Sequence, residues 1–367
     1  MILKLGGNVA AVAGACALSA CVALDAISDL GAPPIPEVAG VLTLTERYLT
    51  ERDPNDNVDS PTIWHGPDDQ HWLIVSAKQT DRLLVYDASN GELIRKYGQS
   101  GNKPGEFERP NGVFVVDDLL LVVERDNRRV QVLALPDLKP VMQFGSHGDQ
   151  ALIKPYGLWA QSLGKDGIRV FVTDNYETAQ ETVPAASQLG ARVHQFLLSR
   201  DGNRWTAARE RRFGATSGDG VLNIVESIWG DAPAGILMIA DEEEFNHRDI
   251  KVYRMDGQYA GMRMGAGLFR YQPEGITLYQ CDDTSGWWIA ADQGKQDNFF
   301  HVFDRASLRY VGSFAGTTTL NTDGIWLTQK AFPGFPEGAF FAVHDDGNVA
   351  AFDLRTIRRG LALKDCS

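Results

Sequence analysis

The sequence predicts an all-β fold, a six-bladed β-propeller, on three observations. First, a short pattern returns six times: Pro61-Thr62-Ile63-Trp64, Asn111-Gly112-Val113, Tyr156-Gly157-Leu158-Trp159, Glu226-Ser227-Ile228-Trp229, Glu274-Gly275-Ile276 and Asp323-Gly324-Ile325-Trp326. Second, each is followed by two more apolar runs. The nearer run ends at Lys78, Arg125, Asp174-Asn175, Asp241-Glu242, Asp292-Gln293 and His344-Asp345. The farther spans Leu83 to Tyr86, Val130 to Leu133, Val193 to Leu198, Ile250 to Tyr253, Phe300 to Phe303 and Val349 to Phe352. Third, turn chemistry separates the runs, as in Asp87 to Gly91, Asp201-Gly202 and Asp345-Asp346-Gly347. A repeat of about 46 to 70 residues carrying several short strands is the signature of a propeller. Equivalent residues of each blade then meet around one axis, so distant polar groups become one site.

In chain order, residues 1–20 read as an export signal. Lys4 supplies the positive region, Val9 to Leu18 the short apolar core, and Leu18-Ser19-Ala20-Cys21 the processing site. That tetrapeptide resembles the bacterial lipobox, whose cysteine is lipidated; the alternative is ordinary cleavage after Ala20. The apolar stretch is too short for a permanent span. Residues 21–36, Pro-rich from Gly31 to Pro36, would tether a soluble domain to the envelope through a lipid on Cys21. Residues 37–367 form the propeller. A lead-in strand, Val41 to Tyr48, is placed beside the last blade, and blades begin near Asp59, Glu108, Lys154, Asn223, Tyr271 and Asn321. The third unit carries a polar insertion, Glu177 to Gly190, expected as a rim lid or a disordered excursion.

The bulk numbers bound the function. At 44% hydrophobic over 367 residues, the chain can bury a large core. A formal charge of −13 leaves no basic stripe for nucleic acid. It still permits a phosphate ligand where divalent cations invert the local field. Of four cysteines, Cys16 leaves with the signal, and Cys281 and Cys366 either pair or stay separate. No CxxC or HExxH zinc pattern occurs. A closed ring has no evident need of a partner, so a monomer is expected.

The blade-start side chains, Pro61, Asn111, Tyr156, Glu226, Glu274 and Asp323, should ring the mouth of the channel. The second-run ends add Lys78, Arg125, Asp174, Asp241 with Glu242, Asp292, and His344 with Asp345. Any single carboxylate is readily a capped turn or a rim charge. Three acids at corresponding positions of successive blades instead point to a metal cluster facing an anionic substrate. Hard oxygen ligands in that number favour Ca2+ over zinc.

Two family resemblances add to this reading. The second blade, with Gly98, Gly101, Gly105-Glu106-Phe107, Pro110-Asn111-Gly112-Val113 and Asn127-Arg128-Arg129-Val130-Gln131-Val132, resembles an NHL repeat. From about Asp53 to Leu354 the chain resembles the β-propeller phytases. The likeness runs through Asp59-Ser60-Pro61-Thr62-Ile63-Trp64, Pro273-Glu274-Gly275-Ile276, Ala290-Ala291-Asp292-Gln293-Gly294, Asn321-Thr322-Asp323-Gly324-Ile325, Phe335-Pro336-Glu337-Gly338 and Val343-His344-Asp345-Asp346-Gly347. The resemblance implies a calcium-dependent phosphomonoesterase that hydrolyses phytate or a related phosphoester by metal-assisted attack of water. In it Lys78, Arg125, Tyr156 and Glu226 would be catalytic. Lys78, Arg125, Tyr156 and Asn111 would bind substrate, and Asp59, Glu226, Glu242, Glu274, Asp323 and Asp345 would hold calcium. The chain departs from the family at Ser60, at Phe114 in Asn111-Gly112-Val113-Phe114, and at Gln272, each replacing an expected acid. A further departure is Asp174-Asn175-Tyr176, where a basic residue is expected. The alternatives are a non-catalytic NHL-like binding module at the cell envelope and a metal-dependent lactonase-type hydrolase.

Overall fold

The computed structural model describes Val38 and residues 40–366, apart from 203 and 244–247. The signal, the Cys21 lipidation site and the tether lie outside the described residues. Two short strands, β1 (Leu42–Leu44) and β2 (Tyr48–Leu49), precede six sheets. Blade one is β3–β6 (Val58–His65, His71–Ala77, Arg82–Asp87, Leu93–Tyr97), and blade two is β7–β10 (Pro110–Val116, Leu119–Glu124, Arg129–Ala134, Lys139–Phe144). Blade three is β11–β14 (Pro155–Ser162, Ile168–Asp174, Val193–Asp201, Arg204–Phe213), and blade four is β15–β18 (Val225–Asp231, Ile236–Asp241, Asp249–Arg254, Tyr259–Met264). Blade five is β19–β22 (Gln272–Gln280, Gly286–Gln293, Phe299–Asp304, Tyr310–Gly316), and blade six is β23–β25 (Ile325–Thr328, Ala339–His344, Asn348–Asp353). The expected six-bladed propeller is the fold observed. Its first strands pack in a closed ring, β3 on β7, β7 on β11, and onward to β23, which returns to β3.

Each blade is sandwiched between two others, so its middle strands bury both faces. That is why Leu120-Leu121-Val122-Val123 in β8 is an unbroken apolar run, with all four residues fully buried. The outer strands are wet on one side. β14 alternates, with Arg204, Thr206 and Ala208 exposed between half-buried Trp205 and Ala207, and its arginines discourage pairing at the edge.

The ring closes through the N-terminal segment, which was expected as one strand beside the last blade. It is instead split between two blades. β1 joins β22 in parallel at the outer edge of blade five, and β2 completes blade six against β25. The break falls at Glu46, whose Oε1 accepts from the backbone N–H of Thr318 and Thr319 at 2.8 and 2.9 Å. The chain ends in a helix, α1 (Leu354–Gly360), capped by Asp353 accepting from Arg355 N. A disulfide between Cys281 and Cys366 then ties the C-terminal tail to the β19–β20 turn. The two cysteines whose pairing the sequence left open are therefore joined.

One local irregularity recurs. In blades one to five the register of the first strand against the second slips by one residue, between Val58 and Pro61, Pro110 and Val113, Pro155 and Leu158, Val225 and Ile228, and Pro273 and Ile276. Two residues on the inner strand thus face one on its partner, which is a β-bulge, and it re-aims a side chain. The bulged pairs are Asp59-Ser60, Asn111-Gly112, Tyr156-Gly157, Glu226-Ser227 and Glu274-Gly275. The second member must be small because the next blade's backbone occupies the space. A Cβ on Gly112 would lie 2.8 Å from the Tyr156 carbonyl oxygen, and one on Gly157 would overlap that of Glu226.

The acids at the ends of the second strands are latches, not members of the mouth. Asp174 accepts from the backbone N–H of Ile153 and Lys154, Asp241 from Asn223 and Ile224, and Asp292 from Arg270 and Tyr271. Each also faces a cation or histidine of the third strand: His194, Lys251 or His301. All three carboxylates are fully buried and saturated, which removes them from the second ring expected at the channel mouth. The Glu177 to Gly190 insertion is an ordered rim loop, held by Lys154 to Glu177 at 2.6 Å and by the Tyr176 hydroxyl donating to Gln188 O at 2.7 Å.

Gly157→Ala should lower unfolding stability by about 1–3 kcal/mol through overpacking against the Glu226 carbonyl. Gly190→Ala, whose nearest neighbours would be the Thr216 methyl at 3.3 Å and the Gly214 oxygen at 4.0 Å, should change it far less. Urea melts of the two variants measure the difference.

Candidate functional site

The bulges deliver five side chains to one end of the axis: Asp59, Asn111, Tyr156, Glu226 and Glu274. Asp323 arrives just before β23 in the sixth blade. Asp59, Tyr156, Glu226, Glu274 and Asp323 line a single small cavity of about 30 Å³. Beneath it blades two, four and six each place an aromatic ring three residues past Asn111, Glu226 and Asp323. Phe114, Trp229 and Trp326 meet with centroids 4.9 to 5.7 Å apart. This apolar floor keeps the carboxylates in a poorly solvated setting, where charge interactions are strong.

The acids divide into two groups. Asp59 and Asp323 share the Lys78 ammonium, which lies 2.8 Å from Asp59 Oδ1 and 3.1 Å from Asp323 Oδ2. Asp59 also accepts from the Ser60 hydroxyl at 2.9 Å and from Asn111 Nδ2 at 3.4 Å, and Gln293 Nε2 donates to Asp323 Oδ1. One internal ammonium thus offsets part of the charge in this half of the mouth. The other half is Glu226, Glu242 and Glu274, one carboxylate oxygen of each lying within 4.8 Å of the others. Glu242 is buried, and its Oε1 has no hydrogen-bond partner. Asn111 is fully buried as well, with its Oδ1 unpartnered.

Glu226, Glu242, Glu274 and Asp323 resist ionisation. Burial raises the Glu226 pKa to about 8, the Asp59 charge adds to the rise, and Lys78 opposes it. Burial raises Asp323 to about 7 despite the Lys78 charge. Glu242 and Glu274 are pushed well above the usual range by burial and by Glu226. Burial also raises the Tyr156 phenol, with Glu226 and Asp59 adding to the effect, so the hydroxyl stays protonated and hydrogen-bonds Glu226. For Lys78, burial works against the charge, yet Asp59 and Asp323 outweigh it and hold the ammonium charged.

A divalent cation fits the second group. Three carboxylate oxygens this close span one ion at Ca–O distances of about 2.3–2.6 Å, and an orphaned buried Glu oxygen is what such an ion would satisfy. Glu226, Glu242 and Glu274 would hold it.

The other expected site residues fall as follows. Arg125 stands at the rim, feels Tyr156 and Glu226, and is ion-paired with its neighbour Asp126 at 2.7 Å. Asp345 is turned away from the axis and paired with Arg52 at 2.6 Å in the open. It is the adjacent Asp346 that interacts with Lys78 and Asp59. Asp345 and Asp346 both adopt left-handed backbone, φ 44° and 54°, so the turn exchanges which of the two faces inward. Gln293 and Asp346 were not anticipated as site residues. Gln293 follows an acid that sequence reading singled out, and Asp346 sits beside the aspartate chosen in its place. Asp292, His301 and Ser313 stand in hydrogen-bonded series, at 3.1 and 2.7 Å, in the order of a nucleophilic triad. All three are fully buried, so they are structural.

No family model matches the chain. Among solved structures, it is similar to the Kuenenia stuttgartiensis hydrazine synthase, with a TM-score of 0.50 and 12% identity over 90% of this chain and 84% of that one. It is also similar to a functionally unknown protein from Desulfotomaculum acetoxidans DSM 771, with a TM-score of 0.47 and 14% identity over 78% and 79%. At this identity the hydrazine synthase likeness shows the propeller fold alone.

A pH dependence follows. Between pH 6.5 and 8 the metal-free native state holds protons on Glu226 and Asp323 that the unfolded chain has released. Stability should therefore fall as pH rises through that window. His65, His71 and His194, whose pKa values are lowered by burial, give the opposite slope only below about pH 6.5. Calcium should lessen the decline by replacing the proton on Glu226. Thermal melts at pH 6.5, 7.2 and 8.0, with chelator and with calcium, measure both slopes.

Proposed function

We propose that the protein is a calcium-dependent hydrolase of phosphomonoesters, phytate or a related compound, working at this end of the propeller axis. The observation that carries the reading is the Glu226, Glu242 and Glu274 cluster with its unpartnered buried oxygen. The cation would lower the pKa of attacking water and screen the phosphate charge. The mouth is strongly acidic without it, so an anionic substrate should bind only after the metal. The Tyr156 hydroxyl, protonated and bonded to Glu226, positions that carboxylate. Arg125 can exchange its exposed partner Asp126 for a phosphoryl group at little cost, since such surface pairs contribute about 0–1 kcal/mol. Lys78 holds Asp59 and Asp323 in place, and its charge steers the phosphate from behind the cluster.

One observation favours a second reading. Lys78 is committed to Asp59 and Asp323, which leaves the mouth with less cationic character than a phosphate clamp wants. A lactonase-type hydrolase acting on a neutral ester through the same cation needs no such clamp. The third reading, a non-catalytic envelope module, draws on the NHL-like second blade. Export to the envelope is supported by the lipobox-like tetrapeptide ending at Cys21 and by the Cys281–Cys366 disulfide, a bond of oxidising compartments.

Phosphate release from phytate and from simple phosphomonoesters, with calcium and with chelator, tests the lead. Release should require calcium and fall about a hundredfold or more in Glu226→Gln and Glu242→Gln. Calcium-dependent opening of a neutral lactone without phosphate release would move the assignment to the second reading. A folded protein that turns over neither would leave the binding module.

A further inference from the structure

Beside the acidic mouth, and on the same face, lies a separate pocket of about 550 Å³ lined by Arg248, Arg270, Tyr271, Gln293, Lys295 and Asn321. It is built from the loops that enter β17 and β19, leave β20 and approach β23. Three cations converge there in a chain whose net charge is −13. Arg270 is fixed from both sides. Its own N–H and that of Tyr271 donate to Asp292 at 2.7 Å each, and its carbonyl accepts from Arg248 Nη1. Its guanidinium lies over the Tyr271 ring at 5.4 Å and meets Asp297 through Nη1 at 3.1 Å. Its Nε is buried without a hydrogen-bond partner. Lys295 is exposed and makes no ion pair within 4.0 Å among the described residues. The wall shared with the mouth is polar: Gln293 donates to Asp323, and Asn321 donates to Asp346 at 3.4 Å.

We propose that this pocket is an anion-binding site, taking a small molecule with two or more phosphate or carboxylate groups, and that it needs no divalent cation to do so. A rigid planar fork set against an aromatic ring, with an ammonium beside it, matches a multiply charged oxyanion. The volume admits a ring-sized molecule. The two sites on this face thus differ in kind: the mouth takes a cation, and the pocket supplies its own positive charge. The pocket stands whether or not the mouth is catalytic.

Calorimetric titration of the full protein in excess chelator tests this, with pyrophosphate in one arm and tricarballylate in the other. Saturable binding is expected in at least one arm, and the arm identifies which oxyanion is preferred. Binding should weaken about tenfold or more in Lys295→Gln and in Arg270→Gln, the loss of one charge-assisted hydrogen bond. It should be unchanged in Glu242→Gln, which disables only the mouth. Lys295 is exposed, so its variant reports binding even if Arg270→Gln fails to fold. No saturable binding in either arm, or equal affinity in wild type and Lys295→Gln, would overturn the proposal.

Discussion

Everything at the functional face depends on how closely the inner strands approach one another. Each bulge pairs a side chain aimed at the mouth with a small residue, and where that residue is glycine a backbone oxygen of the next blade closes on it. Gly112 meets the Tyr156 oxygen, Gly157 that of Glu226, Gly275 that of Asp323, and Gly324 that of Asp59, where the ring closes on itself. Any side chain at these glycines would push two blades apart. The same contact that seals the ring thereby fixes the positions of Asp59, Tyr156, Glu226 and Asp323. Packing and site geometry are one constraint, so the site is preorganised at the expense of any tolerance for bulk along the axis.

That constraint also sets the electrostatics. Four carboxylates line one cavity over an aromatic floor with Glu242 close beside Glu226 and Glu274, and a cluster of that kind cannot remain fully ionised unaided. Lys78 relieves Asp59 and Asp323, and the second-strand latches are satisfied by backbone N–H groups. Glu226 is helped only by the Tyr156 hydroxyl and the more distant Lys78 charge, and Glu242 and Glu274 have less, so protons or a cation supply the rest. An internal ammonium lies on one side, and on the other a carboxylate trio in which Glu242 Oε1 has no hydrogen-bond partner; the proposed function places one divalent ion there. The anion pocket beside it completes a face in which charge of both signs is held a few residues apart.

Much of this was legible in the sequence, because six repeats expose positional equivalence. The blade starts, the middle strands and the bulge residues Asn111, Tyr156, Glu226 and Glu274 could all be aligned by eye, and Glu242 followed from the end of its strand. What escaped depends on contacts between distant blades. The pairing of Lys78 with both Asp59 and Asp323 exists only once the first and sixth blades are side by side. The exchange of Asp345 for Asp346 is a matter of two left-handed residues in a turn. The latch role of Asp174, Asp241 and Asp292 required knowing that their carboxylates point back at the loop before the first strand. Arg248, Arg270 and Lys295 sit in three loops without a shared motif, so nothing in the chain announces their pocket.

The central claim, that Glu226, Glu242 and Glu274 hold a single divalent ion while Lys78 takes the place of another, is tested most directly by calorimetric titration with calcium at pH 8. One ion per chain is the expected stoichiometry, with binding lost in Glu242→Gln and a second ion admitted in Lys78→Met. An absence of binding, or two ions bound by the unaltered protein, would contradict the account.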